Sequence, residues 1–129
     1  MTLRDTMARH ARDTLTRLEN MCSMGGLNIP PKIIRQQISS AITAVVQIAR
    51  LTDGRRRVVS LQEIVGMEGD IITMQELFRF DFDMGFDDEG RSLGRLKSTG
   101  LRPHFEEKLA AGGIKLDDAA FSFESFEGR

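Results

Sequence analysis

The chain of 129 residues contains no tryptophan and no tyrosine, so phenylalanine supplies every aromatic side chain. Its core must therefore consist of aliphatic residues, methionine and phenylalanine. A single cysteine, Cys22, excludes an internal disulfide framework and is typical of a reducing compartment. Because Cys22 falls on an apolar helical face, the pattern predicts a buried structural thiol and not a nucleophile.

The sequence also lacks an excess of either charge. It has 18 Lys and Arg against 19 Asp and Glu, a formal net charge of −1. Binding to a phosphate backbone usually needs a basic excess, so no nucleic-acid partner is expected. No apolar run approaches the roughly 20 residues that cross a bilayer, and the polar N-terminus does not read as a secretory signal. These absences predict a cytoplasmic globular protein that is not transmembrane, with one domain over residues 1–129.

A helical spacing of apolar residues begins after Asp13. It predicts a helix that starts at Asp13 and ends at Gly25-Gly26. Residues 1–12 show no such period, which indicates a flexible or artificial lead-in. A second helix is expected to open at Pro30-Pro31, because proline is tolerated in the first turn. Its apolar positions are Ile34, Ile38, Ala41, Ile42 and Val45, and the run from Val45 to Leu51 is apolar enough to be either helix or strand.

The Asp53-Gly54 pair lies between two apolar runs and predicts a hairpin with a type I′ turn, formed by strands over 46–51 and 56–65. The second run alternates, with Val59, Leu61, Glu63 and Val65 on one face and Val58, Ser60, Gln62 and Ile64 on the other.

Further along, a period of two predicts a strand with three rings on one face, those of Phe78, Phe80 and Phe82. A loop over 84–90, a returning strand over 92–99 and a short helix from Pro103 to Gly112-Gly113 complete the pattern. The fold class is therefore expected to be α+β, with two N-terminal helices, a small antiparallel sheet of hairpins and a short C-terminal helix.

The sequence does not match the phosphate-binding and metal-binding motifs that require a strict residue spacing. A Walker-type phosphate loop needs glycine directly before the lysine, and in segment 90–98 Leu96 occupies that position. A calcium loop opening at Asp81 also lacks the required later residues. His10 and His104 are too far apart in sequence to suggest a zinc pair. No metal and no cofactor are expected for this chain alone.

Two local clusters allow two interpretations each. Glu63 and Glu68 could form an acid/base pair, although a carboxylate between Gly66 and Gly69 more often caps a turn amide. The arginines around the hairpin tip could form a solvated turn or could contact an acidic or phosphorylated partner. They are Arg50, Arg55, Arg56 and Arg57.

The run from Glu63 to Thr73, Glu-Ile-Val-Gly-Met-Glu-Gly-Asp-Ile-Ile-Thr, resembles the C-terminal portion of the CpaF-like ATPases of the type II/type IV secretion and pilus-assembly superfamily. The likeness covers nearly everything from Arg12 onward. The other matching residues are Arg12 to Met21, Gly26-Leu27, Pro30, Ile34 to Ile38, Ser40 to Ile42, Arg50-Leu51, Asp53-Gly54, Phe78, Gly90, Gly94, Thr99-Gly100, Pro103 and Phe105.

This resemblance implies the C-terminal subdomain of a RecA-like motor whose subunits form a ring hexamer. The implied partners are neighbouring subunits, the N-terminal motor portion and platform proteins, in the cytoplasm or peripherally at the inner membrane. ATP and Mg would bind only in the intact enzyme, where His10-Ala11 resembles part of the family's histidine box. This chain alone is expected not to hydrolyse ATP, because the phosphate loop and catalytic glutamate of such enzymes lie upstream.

The residues expected to serve in interactions or structural turns are Asp53, Gly54, Glu63, Gly66, Glu68 and Gly69. The alternative function is that of a stand-alone adaptor or interaction module without nucleotide chemistry.

Overall fold

The computed structural model describes residues 3–26 and 28–122, so that Leu27 of the resemblance and residues 1–2 and 123–129 lie outside it. Three α-helices and four strands are present in the described part of the chain. They are α1 (Leu3–Met24), α2 (Pro31–Ala41), β1 (Ala44–Arg50), β2 (Arg56–Glu68), β3 (Ile71–Phe80), β4 (Leu96–Ser98) and α3 (Glu106–Ala111). The strands form one antiparallel sheet in the order β1-β2-β3-β4. The predicted α+β class is confirmed.

Contacts divide the chain into two compact units. Unit 1 comprises Met1–Val45 with Glu63–Gln75, and unit 2 comprises Val46–Gln62 with Glu76–Arg129. Strands β1, β2 and β3 therefore contribute residues to both units.

Unit 1 is held together by aliphatic side chains from two helices and two strands. On α2, Ile34 and Ile38 are one turn apart and both buried, and Leu15 is their buried counterpart on α1. Ile64 of β2 and Ile72 of β3 complete this core. Burying one such side chain fully stabilises the fold by about 1.5–3 kcal/mol.

The first helix begins at Leu3, earlier than the expected start at Asp13, and ends as predicted before the glycines, where Gly26 has φ +78°. Its last turn is uncovered: Met24 is 84% exposed, and Cys22 is exposed as well. The prediction of a buried thiol was therefore wrong. Periodicity identifies the residues that share a face, but it does not show where the covering element ends.

The β1–β2 hairpin of unit 2 is confirmed, although its turn differs from the predicted one. Leu51 N–H donates to the carbonyl of Arg55 (2.8 Å), and Gly54 N–H donates to the carbonyl of Leu51 (2.9 Å). Gly54 has φ +82°, whereas Asp53 has a negative φ. A type I′ turn needs positive φ at both central residues, so the loop is instead a three-residue type I turn followed by a G1 bulge.

Within unit 2, β2 is covered on both sides. Val59 and Ser60 are adjacent and point to opposite faces, yet each is 1% exposed, and Gln62 is also buried. At these positions, therefore, neither of the two alternating faces predicted for β2 is exposed to solvent.

The aromatic strand ends earlier than predicted. β3 stops at Phe80, so Phe82 lies in a 3-10 turn (Phe82–Met84) and not on the strand, which corrects the prediction of three rings on one strand. The rings of Phe80 and Phe82 nevertheless meet edge to face, with centroids 4.9 Å apart. β4 is likewise shorter than the predicted 92–99 and pairs with β3 through Phe78↔Ser98 and Phe80↔Leu96. At Gly94, a β-carbon would overlap the Phe80 ring, so only glycine fits there.

The β2–β3 connection in unit 1 is the two-residue turn Gly69-Asp70. Gly69 has φ +60°, and Asp70 does not have a positive φ, which fits a type II′ turn with glycine at its first central position. Gly66 and Glu68 belong to β2, so the expected tight turn over 66–69 is displaced towards Asp70.

Replacing Gly69 with valine is expected to destabilise the protein by about 1–3 kcal/mol, since a β-branched residue is strained at positive φ. No other atom lies near the added β-carbon, so this loss reflects backbone strain and not a clash. Urea denaturation measures it. The control is Gly112→Ala, because Gly112 has φ −87° and should tolerate alanine. Equal stability of the Gly69 variant and the parent would show that this backbone is not strained.

Candidate functional site

The outer side of the β1–β2 hairpin presents exposed aliphatic residues. Val46 and Ile48 of β1 are 54% and 63% exposed, and Val58 of β2 is 37% exposed. Because side chains alternate along a strand, Arg50 shares the face of Val46 and Ile48, and Arg56 shares that of Val58. Both arginines are exposed too. We call these five residues the hairpin face.

The register places like residues opposite each other on this face. The bond from Leu51 N–H to Arg55 makes that pair hydrogen-bonded, so the next pair, Arg50 and Arg56, is of the closer, non-hydrogen-bonded kind. Two residues further along, Ile48 lies opposite Val58. The hairpin face therefore has a basic end beside the loop and an aliphatic end beyond it.

β1 is also a terminal strand of the sheet formed by the described residues. Since Leu51 N–H points towards β2 and the direction alternates along a strand, the backbone groups of Val46, Ile48 and Arg50 point away from β2. An edge of this kind is a template for pairing with another strand.

Asp53 fixes the loop of the hairpin. Its Oδ1 accepts a hydrogen bond from Arg55 N–H (2.9 Å), and its Oδ2 accepts one from Ser92 N–H (2.8 Å), 39 residues away in sequence. The Ser92 amide, then the Arg55 amide and the nearby charges of Arg55 and Arg57, hold the pKa of the Asp53 carboxyl below its ordinary value of 3.8. Asp53 and Gly54, expected to be turn residues, thus shape and anchor the turn.

Asp53→Asn is expected to lower the urea midpoint at pH 7, because its amide group would meet the Ser92 N–H donor. The folded-state pKa of Asp53 is depressed, so its stabilisation is present above the unfolded pKa and is lost as the pH falls through the folded pKa. The difference between variant and parent should therefore shrink as the pH is lowered below 3.8.

The matched control is Asp88→Asn, on an exposed carboxylate in the loop before β4, which should leave the midpoint unchanged at both pH values. Equal midpoints for Asp53→Asn and the parent at pH 7 would contradict the anchoring role.

The charged side chains of unit 2 include cations that form salt bridges. Lys97 pairs with Asp81 at 2.7 Å, and Arg91 pairs with Asp87 at 2.8 Å. Among the described residues, by contrast, no salt bridge is formed by Arg50, Arg55, Arg56 or Arg57. The charges of Arg55 and Arg57 act on Asp53, whereas those of Arg50 and Arg56 are directed to solvent or to a partner.

Glu63 lies on β2 in unit 1 and is only 1% exposed. Its Oε1 accepts a hydrogen bond from Gln75 Nε2 at 2.8 Å. Glu68 is exposed at the end of the same strand. One carboxylate is therefore enclosed and the other is open to water, which favours a structural role for Glu63. His10 is exposed on α1.

Glu63→Ala is expected to destabilise the protein by about 1–3 kcal/mol, since it removes the acceptor of a largely buried hydrogen bond. Urea denaturation at pH 7 measures the loss. Glu68→Ala makes the same chemical change at an exposed position of β2 and should stay within about 0.5 kcal/mol of the parent. Similar values for the two variants would show that the buried bond contributes little.

Unit 1 also contains an open cleft of about 500 Å³. On its walls, Arg35 Nε donates to Glu19 at 3.0 Å and Arg35 Nη1 donates to the carbonyl of Asp70 at 3.3 Å, while Arg12 donates to the carbonyl of Ile72. The Glu19 interaction raises the pKa of Arg35. Sequence reasoning missed this pair. Helical periodicity shows that Arg35 lies on the polar side of α2, but it does not identify a partner 16 residues earlier in the chain.

The acidic loop does not bring its carboxylates to a common centre. Asp81 accepts from the amide of Asp83 and pairs with Lys97, and Asp87 accepts from the amides of Glu89 and Arg91. In residues 3–26 and 28–122, no group of three or more His, Cys, Asp or Glu is placed to hold a metal ion. None of the helices over the same ranges combines the length and apolar character needed to cross a bilayer.

No family model matches the chain, and no curated protein matches it either. The hairpin face is consequently the feature on which a functional interpretation depends most. It combines exposed aliphatic groups, cations without partners among the described residues and an open backbone edge, which suits contact with another protein better than chemistry.

Proposed function

We propose that the chain is the C-terminal portion of a CpaF-like secretion or pilus-assembly ATPase, in which it completes the motor domain through protein contacts. The observation that carries this proposal is the hairpin face at the open edge of β1. Exposed aliphatic strands at a sheet edge favour pairing with another chain segment. An N-terminal motor portion that covers Val46, Ile48 and Val58 would remove this apolar surface from water.

The run that most resembles the CpaF-like ATPases has a structural role in this fold, and this supports the proposal. The run from Glu63 to Thr73 forms the end of β2, the turn at Gly69 and the start of β3, and it supplies Ile64 and Ile72 to the core of unit 1. Its glycines and buried carboxylate shape the fold, which leaves partner contacts to the hairpin.

In this proposal the phosphoryl transfer belongs to the N-terminal motor portion, which supplies the lysine and metal cradle that such chemistry needs. His10 is exposed on α1 and would reach the nucleotide only in the complete enzyme. The assembly would be a cytoplasmic ring, peripheral at the inner membrane, with neighbouring subunits and platform proteins as further partners.

The alternative is a stand-alone adaptor of a secretion or pilus system. The observation that favours it is the core of unit 1, where Leu15, Ile34 and Ile38 are buried within the chain itself. An adaptor would use the same hairpin face but would carry no nucleotide site.

The two functions are distinguished by the size of the natural polypeptide. An antibody raised against this chain is used to probe an extract of the source cells after photo-crosslinking with azido-ATP. The proposal expects a band far above 14.5 kDa that carries the nucleotide label. The purified 129-residue chain serves as the control and should show no heat of binding in a titration with ATP and magnesium. An unlabelled band near 14.5 kDa would favour the adaptor.

A further inference from the structure

We propose that Arg50 and Arg56 together bind a carboxylate of an extended acidic and aliphatic protein segment that adds alongside β1. This inference rests on the proposed function, since it specifies the chemistry of the segment that covers the hairpin face.

The first step is the like-charge pair. Arg50 and Arg56 lie opposite each other at a non-hydrogen-bonded position, where side chains approach most closely. Like charges directly opposite each other destabilise a strand pair. Neither forms a salt bridge with a described residue, so no described carboxylate offsets this repulsion. A carboxylate between the two guanidinium groups would convert the repulsion into charge-assisted hydrogen bonds.

The second step is the two-residue spacing of the exposed side chains on β1. A strand added beside β1 presents its side chains at the same two-residue spacing as Val46, Ile48 and Arg50. It would place aliphatic residues next to Val46 and Ile48, and an acidic residue next to Arg50. Cross-strand pairs of both kinds are favourable.

The third step is the backbone. The N–H and C=O groups of Val46, Ile48 and Arg50 point away from β2, and a peptide segment satisfies them with its own backbone. Lipid chains offer no such groups. An anionic membrane surface would use the arginines and aliphatic side chains but would leave the edge unpaired, so the protein segment accounts for more of the observed features.

The test uses a fluorescein-labelled peptide of sequence Val-Thr-Val-Thr-Glu-Thr-Glu, which presents its valines and glutamates on one face, with a matched peptide in which both glutamates are lysines. Fluorescence anisotropy follows their binding to the 129-residue chain. The acidic peptide should bind, and its affinity should fall at least tenfold, which is about 1.4 kcal/mol, in the Arg50→Gln/Arg56→Gln variant, because both guanidinium groups that hold the carboxylate are removed. The lysine peptide should bind much more weakly than the acidic one.

Arg95→Gln is the matched control, since Arg95 is an exposed arginine in the segment before β4 and outside the hairpin face. This variant should bind like the parent. Circular dichroism and thermal melting confirm that each variant is folded. A peptide N-methylated at alternate amides should lose binding if the backbone edge is used.

Three results would overturn the proposal: no binding of the acidic peptide, equal binding of the lysine peptide, or no effect of the double arginine substitution. Binding to phosphatidylglycerol vesicles with the same arginine dependence, together with no peptide binding, would assign the surface to lipid instead. Peptide binding is measured on the isolated chain, so it tests the surface independently of the size of the natural polypeptide. If the peptide binds and the natural polypeptide is found to have a mass of 14.5 kDa, the binding surface stands and only the assignment to a motor protein is overturned.

Discussion

The requirement that buried polar side chains be hydrogen-bonded governs β2, the longest strand of the sheet. In unit 2, Ser60 is buried and donates to Glu76 at 3.4 Å, and in unit 1, Glu63 accepts from Gln75 at 2.8 Å. A polar group buried without a partner costs several kcal/mol, so a slip of one residue would be heavily penalised. Each unit thus contains a polar contact between β2 and β3 that such a slip would break.

The elements that sequence reasoning located best are those bounded by proline or glycine, whose backbone preferences differ from those of other residues. Pro31 opens α2 and Gly26 follows α1, because each has a conformational preference that acts locally. The Asp53-Gly54 pair located the hairpin for the same reason. Its turn type was not predictable from the pair alone, since a two-residue and a three-residue loop are both compatible with Asp-Gly, and the choice depends on which residues of the flanking strands pair. Phe82 was misplaced because the alternating pattern continues past the point where β4 stops pairing with β3.

The candidate site was located only in part. The arginine cluster was visible in the sequence, but Val46 and Ile48 read as ordinary half-buried strand residues, and their exposure depends on what covers β1. Asp53 was identified as a turn residue, whereas its bond to Ser92 joins positions too distant in sequence for any local pattern to reveal. Glu63 was a candidate for chemistry, and its burial beside Gln75 favours a structural role instead. In each case the missing information was tertiary: the identity of the neighbour decides whether a side chain is core, anchor or contact surface.

The uncovered last turn of α1 has a practical consequence for solution work. Cys22 is the sole thiol of the chain and is exposed there, flanked by the exposed Met21 and Met24. An accessible thiol without an intramolecular partner forms intermolecular disulfides under oxidising conditions. Covalent dimers that arise in this way would mimic self-association in sizing experiments, so a reducing agent is needed there. The same thiol offers a single attachment point for a maleimide dye or spin label, which would report on unit 1 without any substitution in the chain.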